Sequence, residues 1–262
     1  MPDKGVFIIM PAYNAARTLE RTVAEVPPEY RKRIILTDDC STDDTVRVAR
    51  SLGLQVIVHE RNKGYGANQK TCYEQALKQG AEIVVMVHPD HQYDASVIPR
   101  LVRPIVKQKA DAVFGSRMLG HRPLEGGMPR WKYNANVLLT ACANLIFGRY
   151  LTEIHSGFRA YSRKYLETVQ FKLNSDNFVF DTQIIAQGMS NGLVFCEIAI
   201  ETRYFPEASS INFARSVVYG FGVLGAIIQY AIHRSGLMTF RWLLPHAEDT
   251  DIQQHKDAKT NA

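Results

Sequence analysis

The sequence predicts an α/β protein built on a doubly wound, mostly parallel sheet with helices on both faces. Three observations predict it. Between Gly5 and Val87, short apolar runs alternate with helical segments in the order β-α-β-α-β-α-β, which right-handed crossovers convert into a parallel sheet. The runs Val6–Met10 and Ile83–Val87 are apolar without alternation, the pattern of strands buried on both faces. The runs end in polar or glycine-bearing loops, and open α/β sheets bind ligands outside the carboxyl ends of their strands.

The first strand is expected at Val6–Met10 and ends in Pro11-Ala12-Tyr13-Asn14. A helix follows from about Ala15 to Val26, where Pro27-Pro28 stop it. Arg33–Thr37 is the second strand; Asp38-Asp39-Cys40-Ser41-Thr42-Asp43-Asp44-Thr45 leads from it into a helix ending near Leu52. Leu54–Val58 is a third, short strand. Asn62-Lys63-Gly64-Tyr65-Gly66-Ala67-Asn68 is a glycine turn opening a helix from about Gln69 to Gln79. After the fourth strand the pattern changes. Helix is expected at Ser96–Gln108, strand at Ala112–Phe114, and a loop rich in Gly, Pro and Met at 118–131. Trp131–Gly148 reads as a helix that is apolar on most faces, Gly157–Tyr161 as a strand, Phe178–Gly188 as a helix and Val194–Ile200 as a strand. The expected organisation is one domain over 1–215, with halves at about 5–117 and 118–215. An apolar region at 216–247 and a frayed polar tail at 248–262 follow.

With 46% apolar and 22% charged residues in 262, the chain is globular and long enough to bury a sizeable core, which excludes disorder. The net charge of +5 fits an anionic partner without choosing among a nucleotide, a phospholipid surface and nucleic acid. Cys40, Cys72, Cys142 and Cys196 are far apart and form no CxxC pair, so reduced, mostly buried thiols in a cytosolic protein are expected and a zinc site is not. The start, MPDKGVFIIMPAYN, is too polar and its apolar run too short for a signal peptide.

Chemistry concentrates in 83–94, where the fourth apolar run ends in His88-Pro89-Asp90-His91-Gln92-Tyr93-Asp94. In a locally extended turn, Asp90 and Gln92 point their oxygens the same way. Two hard oxygen ligands suit Mg²⁺ or Mn²⁺, which complete their shells with water and phosphate. The competing reading makes Asp90 or Asp94 a cap on the helix starting near Ala95. Ser216–Ile232 carries no charge and lies between Arg215 and His233-Arg234. At about 1.5 Å per residue it falls short of a hydrocarbon core of about 30 Å, which leaves a helix lying in the membrane interface or a buried core helix ahead of a true span.

Several loops match one family. PAYNA after the first strand, DDCSTDDT after the second, NKGYGAN before the third helix and the acidic motif after the fourth strand resemble the inverting family 2 glycosyltransferases of GT-A fold. GSR at 115–117 and HSGFRAYSR at 155–163 narrow the resemblance to the dolichyl-phosphate mannose synthase and polyprenyl-phosphate glycosyltransferase branch. The resemblance runs from about Gly5 to about Tyr219; each motif alone is weak and the ordered set is specific.

The resemblance implies roles. Pro11, Ala12, Tyr13 and Asn14 match the loop that walls the nucleotide base, Asp39 the acidic residue that binds base or ribose, with Asp38 beside it, and Gly64 and Gly66 the turn beside the nucleotide. Asp90 matches the central aspartate of the DxD-type metal motif and Gln92 an additional metal ligand. Arg117 and Arg203 match basic residues near the donor and acceptor phosphates. Asp181 lies where the family has an acidic residue near the acceptor. The departure is His88, which replaces the first aspartate of the motif. It either ligates the metal, as a poorer partner for Mg²⁺ than a carboxylate, or is hydrogen-bonded away from it. The expected cofactor is Mg²⁺ or Mn²⁺, and the expected donor a GDP- or UDP-linked sugar.

The expected acceptor is a polyprenyl phosphate at the cytoplasmic face of a membrane, with the protein attached peripherally and no nucleic-acid partner. A phosphate acceptor is already an anion; a hydroxyl acceptor needs a base, for which Asp181 is the candidate, or else Asp181 is a helix N-terminal carboxylate. Arg159 reads as structural, and Lys63 and Lys70 as solvated helix-face lysines. Two other classes stay open. A nucleotidyltransferase would carry a glycine-rich basic loop after its first strand, and PAYNAART has no glycine. A non-catalytic sugar-nucleotide binder docked at a membrane is favoured only by His88. For the apolar helices, the competing account is a core or homo-oligomer interface with a soluble acceptor.

Overall fold

The computed structural model describes residues 5–120, 123–204 and 213–246, with the backbone alone for 213–215. The expected tail at 248–262 lies outside the described residues, as does part of the 118–131 loop. Seven strands form one sheet in the order β3-β2-β1-β4-β6-β5-β7. They are β1 (Val6–Ala12), β2 (Ile34–Asp38), β3 (Gln55–Val58), β4 (Ile83–Met86), β5 (Ala112–Ser116), β6 (Arg159–Ser162) and β7 (Phe195–Ala199). The first four pair in parallel, and so do β5 and β7, whereas β6 runs antiparallel to both β4 and β5. The mixed sheet is thus parallel over β1–β4 and interrupted by one reversed strand.

Nine α-helices surround it among the described residues: α1 (Leu19–Glu25), α2 (Pro28–Arg31), α3 (Thr45–Ser51), α4 (Tyr65–Lys78), α5 (Ile98–Val106), α6 (Arg130–Phe147), α7 (Arg163–Thr168), α8 (Phe180–Ser190) and α9 (Phe213–Arg234). The uninterrupted apolar runs behave as expected of strands covered on both faces. Val6, Ile8 and Met10 of β1 enter one buried cluster with Leu19, Leu101 and Ile105, while Phe7 and Ile9 enter the other with Tyr73, Phe180 and Ile227. All seven residues of β1 are buried, but β3 and β7, the sheet edges, are only partly so.

Boundaries moved where local chemistry competes. Val26 is extended, as a residue before proline must be, so α1 ends there, but Pro28 then occupies the first turn of α2, where its missing N–H costs nothing. The expected start of the first helix near Ala15 gives way to a turn because Asn14 takes a left-handed φ of 50°. The glycine turn is shorter than expected: α4 begins at Tyr65, directly after Gly64 at φ 99°. All four cysteines are free, but only Cys72 is fully buried, and burial pushes its thiol up to about 12.

The antiparallel strand has a functional consequence. Because β6 runs against β4 and β5, the segment entering it, 152–158, is delivered to their carboxyl ends. Loops after β1, β2, β4 and β5 and the loop before β6 therefore meet on one edge. The direction of winding reverses between β1 and β4, the switch point where such sheets open a crevice.

The long helices α6 and α9 pack on one another, and α9 also packs on α8. Both leave large apolar side chains exposed, and α6 also turns polar ones inward. In α6 the buried face carries Asn136, Thr140, Ala143 and Phe147, while Leu138 is 64% and Leu145 85% exposed. In α9, Val223, Ala226, Ile227 and Tyr230 are buried, while Val218 and Phe221 are more than 70% exposed. Gly222 is needed where it stands, because a Cβ would collide with Val179. The charge-free stretch is therefore neither a core helix nor detached. The helix continues past its charge-free segment to Arg234, and Ser216–Arg234, 19 residues, is long and apolar enough by length and composition alone to cross a bilayer.

Candidate active site

The loops after β1 and β2 are zipped together. The Asn14 amide donates to Ser41 Oγ at 2.8 Å, Asn14 Oδ1 accepts from the Thr42 amide at 2.9 Å, and the Ala15 amide donates to Thr45 Oγ1 at 2.7 Å. This is why a short polar side chain tolerant of positive φ stands at position 14. Tyr13 projects from the same loop, 54% exposed, whereas Pro11 and Ala12 are buried in β1. Asp38 turns inward and accepts from the Ser41 amide at 2.9 Å.

Asp39 is buried, and its carboxylate is engaged by protein. It accepts from the Lys63 and Gly64 amides at 2.8 and 2.9 Å and contacts His59 Nδ1 at 2.8 Å. It therefore ties the glycine turn to the end of β2. Gly64 and Gly66 are packed against the 175–176 backbone, and a Cβ on either would strike it. Lys70, expected to be solvated, is 16% exposed and pairs with Asp176 at 2.7 Å.

The acidic motif after β4 differs from the extended turn expected from its spacing. His91 is left-handed, at φ 57°, and the Gln92 amide folds back onto Asp90 Oδ1 at 3.1 Å. The Asp90 side chain closes a turn of the Asx type, so strand-like periodicity does not set the directions of Asp90 and Gln92. Capping of the next helix falls to Asp94, whose carboxylate accepts from Ser96 at 2.9 Å. Burial raises the Asp90 pKa, and no described cation forms an ion pair with it. A partly buried carboxylate without a cation carries a desolvation cost, and a ligand that brings positive charge relieves it. Among the described residues no group of three or more His, Cys, Asp or Glu is placed to hold a metal. The donors present thus fit an ion that takes most of its shell from water and phosphate, not one caged by protein.

His88 lies at the partly buried end of a polar chain that runs into the core. Its Nε2 is 3.2 Å from Tyr65 Oη, Tyr65 Oη is 2.9 Å from Asp181 Oδ2, and Asp181 Oδ1 meets Gln69 Nε2 at 3.1 Å and Arg159 Nη1 at 3.4 Å. Arg159, expected to be structural, is 1% exposed and also donates to the Ser156 and Ile154 carbonyls. Burial lowers the His88 pKa and raises that of Tyr65 far above the usual phenol.

Arg117 is clamped by Glu153. Its amide and Nε donate to that carboxylate at 2.7 and 2.8 Å, Nη2 makes a third, shorter contact, and Asn136 Nδ2 adds a bond of 2.6 Å. The pairing holds the Glu153 pKa down and the Arg117 pKa up despite burial. Partial burial, and to a lesser degree the charge of Arg117, lowers the Lys132 pKa. Arg203 joins the site through its backbone: its amide donates to the Gln92 carbonyl at 2.8 Å, beside the Tyr93–Thr202 bridge. Its guanidinium turns to Glu25 at 2.8 Å and to His91. Burial raises the Tyr93 pKa, with the charges of Arg117, Glu153 and Asp90 acting on it more weakly.

Tyr65, Gln69, Glu153 and His155 were not among the sequence candidates. A tyrosine between two glycines was a visible signal; a buried Glu153 has none, because its partner is 36 residues away. His155 Nδ1 lies 2.8 Å from Tyr219 Oη of α9, and its Nε2 is buried without a partner. Burial pulls its pKa down to about 4. A folded pKa below the unfolded value of about 6.5 gives stability that is complete above pH 6.5 and lost as pH falls toward 4. Thermal melts from pH 7 to 4 should therefore fall less steeply for His155→Gln than for wild type; parallel curves would show that His155 does not titrate there.

The Glycosyl transferase family 2 model matches residues 7–170. The UDP-N-acetylglucosamine–dolichyl-phosphate N-acetylglucosaminyltransferase of Methanococcus voltae is 28% identical over 221 residues, covering 78% of this chain and 88% of that protein. The polyprenol monophosphomannose synthase of Mycolicibacterium smegmatis is 26% identical over 212 residues, covering 76% and 77%. Among solved structures, glucosyl-3-phosphoglycerate synthase from Mycobacterium tuberculosis, in complex with Mn²⁺, UDP-glucose and phosphoglyceric acid, superposes with a TM-score of 0.66. It is 18% identical and covers 86% of this chain and 79% of that one.

Proposed function

The chain belongs to glycosyl transferase family 2, and from that premise we propose that it moves a sugar from a UDP- or GDP-linked donor to a polyprenyl phosphate, with inversion at the anomeric carbon. Two relatives support this reading: one is a UDP-N-acetylglucosamine–dolichyl-phosphate N-acetylglucosaminyltransferase and the other a polyprenol monophosphomannose synthase. The observation that carries the donor half is Asp90, a partly buried carboxylate at the sheet's switch point whose burial raises its pKa and which has no ion-pair partner among the described residues. A Mg²⁺ or Mn²⁺ ion bound there, with Asp90 and Gln92 as protein ligands, would offset the charge that grows on the leaving diphosphate.

The chain's own residues do the rest. Tyr13 and Asn14, with the 38–45 loop bonded to them, wall the base; Asp39 and Gly64 hold the facing turn in place. Arg117 and Lys132 supply positive charge on the acceptor side, and Arg203 adds its own beside the acidic turn. Asp181 bears on the acceptor's chemistry. Both of its oxygens are engaged by Tyr65, Gln69 and Arg159, which leaves it a positioning group and not a base. With Asp181 engaged in this way, an acceptor that is already anionic is favoured, so a phosphate fits better than a hydroxyl.

Thermal stability across a nucleotide panel, with and without Mn²⁺, tests the donor half. A nucleoside diphosphate at about 100 times its dissociation constant should add about 2.7 kcal/mol, and only with metal present. Equal melting with and without nucleotide would refute it. The exposed apolar residues of α6 and α9 support peripheral attachment to a cytoplasmic leaflet, with Arg130, Lys132 and Arg149 at the ends of α6 to meet headgroups. The protein should float with anionic liposomes and be released by Val218→Glu with Phe221→Glu, two exposed positions whose change leaves the core alone. Intact protein that stays soluble at low salt contradicts membrane attachment and leaves a homo-oligomer interface as the account of that face.

A further inference from the structure

The histidine that opens the acidic motif has its tautomer fixed by the fold. Tyr65 has one hydroxyl proton. Asp181, ion-paired with Arg159, is acceptor-only, so that proton goes to Asp181 Oδ2 at 2.9 Å. The Tyr65 oxygen can then only accept from His88, which requires the proton of the neutral ring on Nε2, at 3.2 Å. The lone pair is left on Nδ1. Ring orientation is held as well. His88 stacks on Tyr65, with centroids 5.6 Å apart at 24°, and Tyr65 stacks in turn on Phe178 at 4.6 Å. The Gly157 backbone closes over the Nε2 edge, where a Cβ would come within 2.5 Å of that nitrogen. Nδ1 bonds to no described residue and is not among the buried atoms that lack a partner, so it keeps some exposure and is available to a ligand.

We propose that His88 offers Nδ1 as a metal ligand beside Asp90, with Tyr65 and Asp181 as the positioning residues that set its tautomer, and that this nitrogen shifts the site from Mg²⁺ toward Mn²⁺. The inference rests on the assignment of Asp90 to the metal. A ligating imidazole commonly has its second N–H held by a carboxylate or another acceptor; here the carboxylate acts through a tyrosine. Mg²⁺ takes oxygen ligands almost exclusively, whereas nitrogen donors favour the transition ions that follow it. Replacing a carboxylate by an imidazole also removes one negative charge, which weakens the hold on the harder ion more.

The test uses the full chain with UDP or GDP and Mn²⁺, read by electron paramagnetic resonance. Wild type should bind Mn²⁺ with a nitrogen modulation in the spin echo. The modulation should change from ¹⁴N to ¹⁵N when only histidine is ¹⁵N-labelled, and vanish in His88→Asp. Competition with Mg²⁺ should show the Mn²⁺ preference falling at least tenfold in His88→Asp. In Tyr65→Phe, which frees the ring, the nitrogen coupling should weaken while Mn²⁺ still binds. Mn²⁺ bound with no histidine coupling in wild type overturns the proposal and leaves Asp90 in place. An unchanged metal preference in His88→Asp also overturns it. No Mn²⁺ binding with either nucleotide overturns it together with the Asp90 assignment. The isotope arm needs no variant, so it decides the matter even if His88→Asp fails to fold.

Discussion

Asp90→Asn should lower kcat/KM by about 10²–10³, the usual scale for removing one preorganised charge-stabilising group, while the protein melts no lower than wild type. The two effects have one origin. Asparagine keeps the oxygen that accepts from the Gln92 amide, so the turn at His91 survives. The substitution removes a carboxylate whose burial raises its pKa and which lacks a cationic partner in the free protein, so stability is unchanged or slightly improved. The leaving diphosphate then loses its anchor, and the loss falls on the transition state, where its charge is largest. Nucleoside diphosphate release, followed alongside a thermal melt, reads both. Near-native turnover with metal present would remove Asp90 from the site; a large drop in melting temperature would make its role structural.

Glu153→Gln should cost about 3–5 kcal/mol of stability, the range for breaking a buried ion pair by removing one partner. Glu153 is fully buried and accepts from the Arg117 amide, the Arg117 guanidinium and Asn136. Glutamine keeps the shape but turns an acceptor into a donor facing other donors, and it strands the Arg117 charge. Urea unfolding at pH 7 measures the loss. The double variant Glu153→Met with Arg117→Met should lose less than the sum of the single changes, because no buried charge is left alone. Additive losses would mean that the two residues do not act as a pair, and Arg117 would then be free to carry its full charge to a phosphate.

The part of the fold that depends on local pattern was legible in the sequence. Unbroken apolar runs at Val6–Met10 and Ile83–Val87 announced strands covered on both faces, and the polar residues that end them announced the ligand edge. The antiparallel course of β6 was not legible, because a four-residue strand carries no sign of its direction; yet that reversal delivers Glu153 and His155 to the site. The candidate residues were found through loop motifs, and the structure brings Asp90, Arg117, Asp181 and the backbone of Arg203 to one edge. What the motifs could not show was pairing. Asp39 spends its oxygens on the glycine turn, and Asp181 on Tyr65, Gln69 and Arg159, because each is buried and must be satisfied. The expected extended geometry at Asp90 failed for a similar reason: an aspartate just past a strand end finds the amide two residues on before it meets any ligand. The inverted polarity of α6 was hidden because its apolar residues are spread around the helix, and only packing shows that Asn136 and Thr140 face inward.

The most direct test is the product itself. The protein is incubated with UDP-N-acetylglucosamine or GDP-mannose, Mn²⁺ and either a polyprenyl phosphate or the corresponding polyprenol, and the anomeric configuration of any glycolipid is read by NMR. The account predicts transfer from one of these donors to the phosphate, release of the nucleoside diphosphate, an anomeric configuration opposite to the donor's, and no transfer to the alcohol. Comparable transfer to the polyprenol, or a product that retains the donor's configuration, would contradict it.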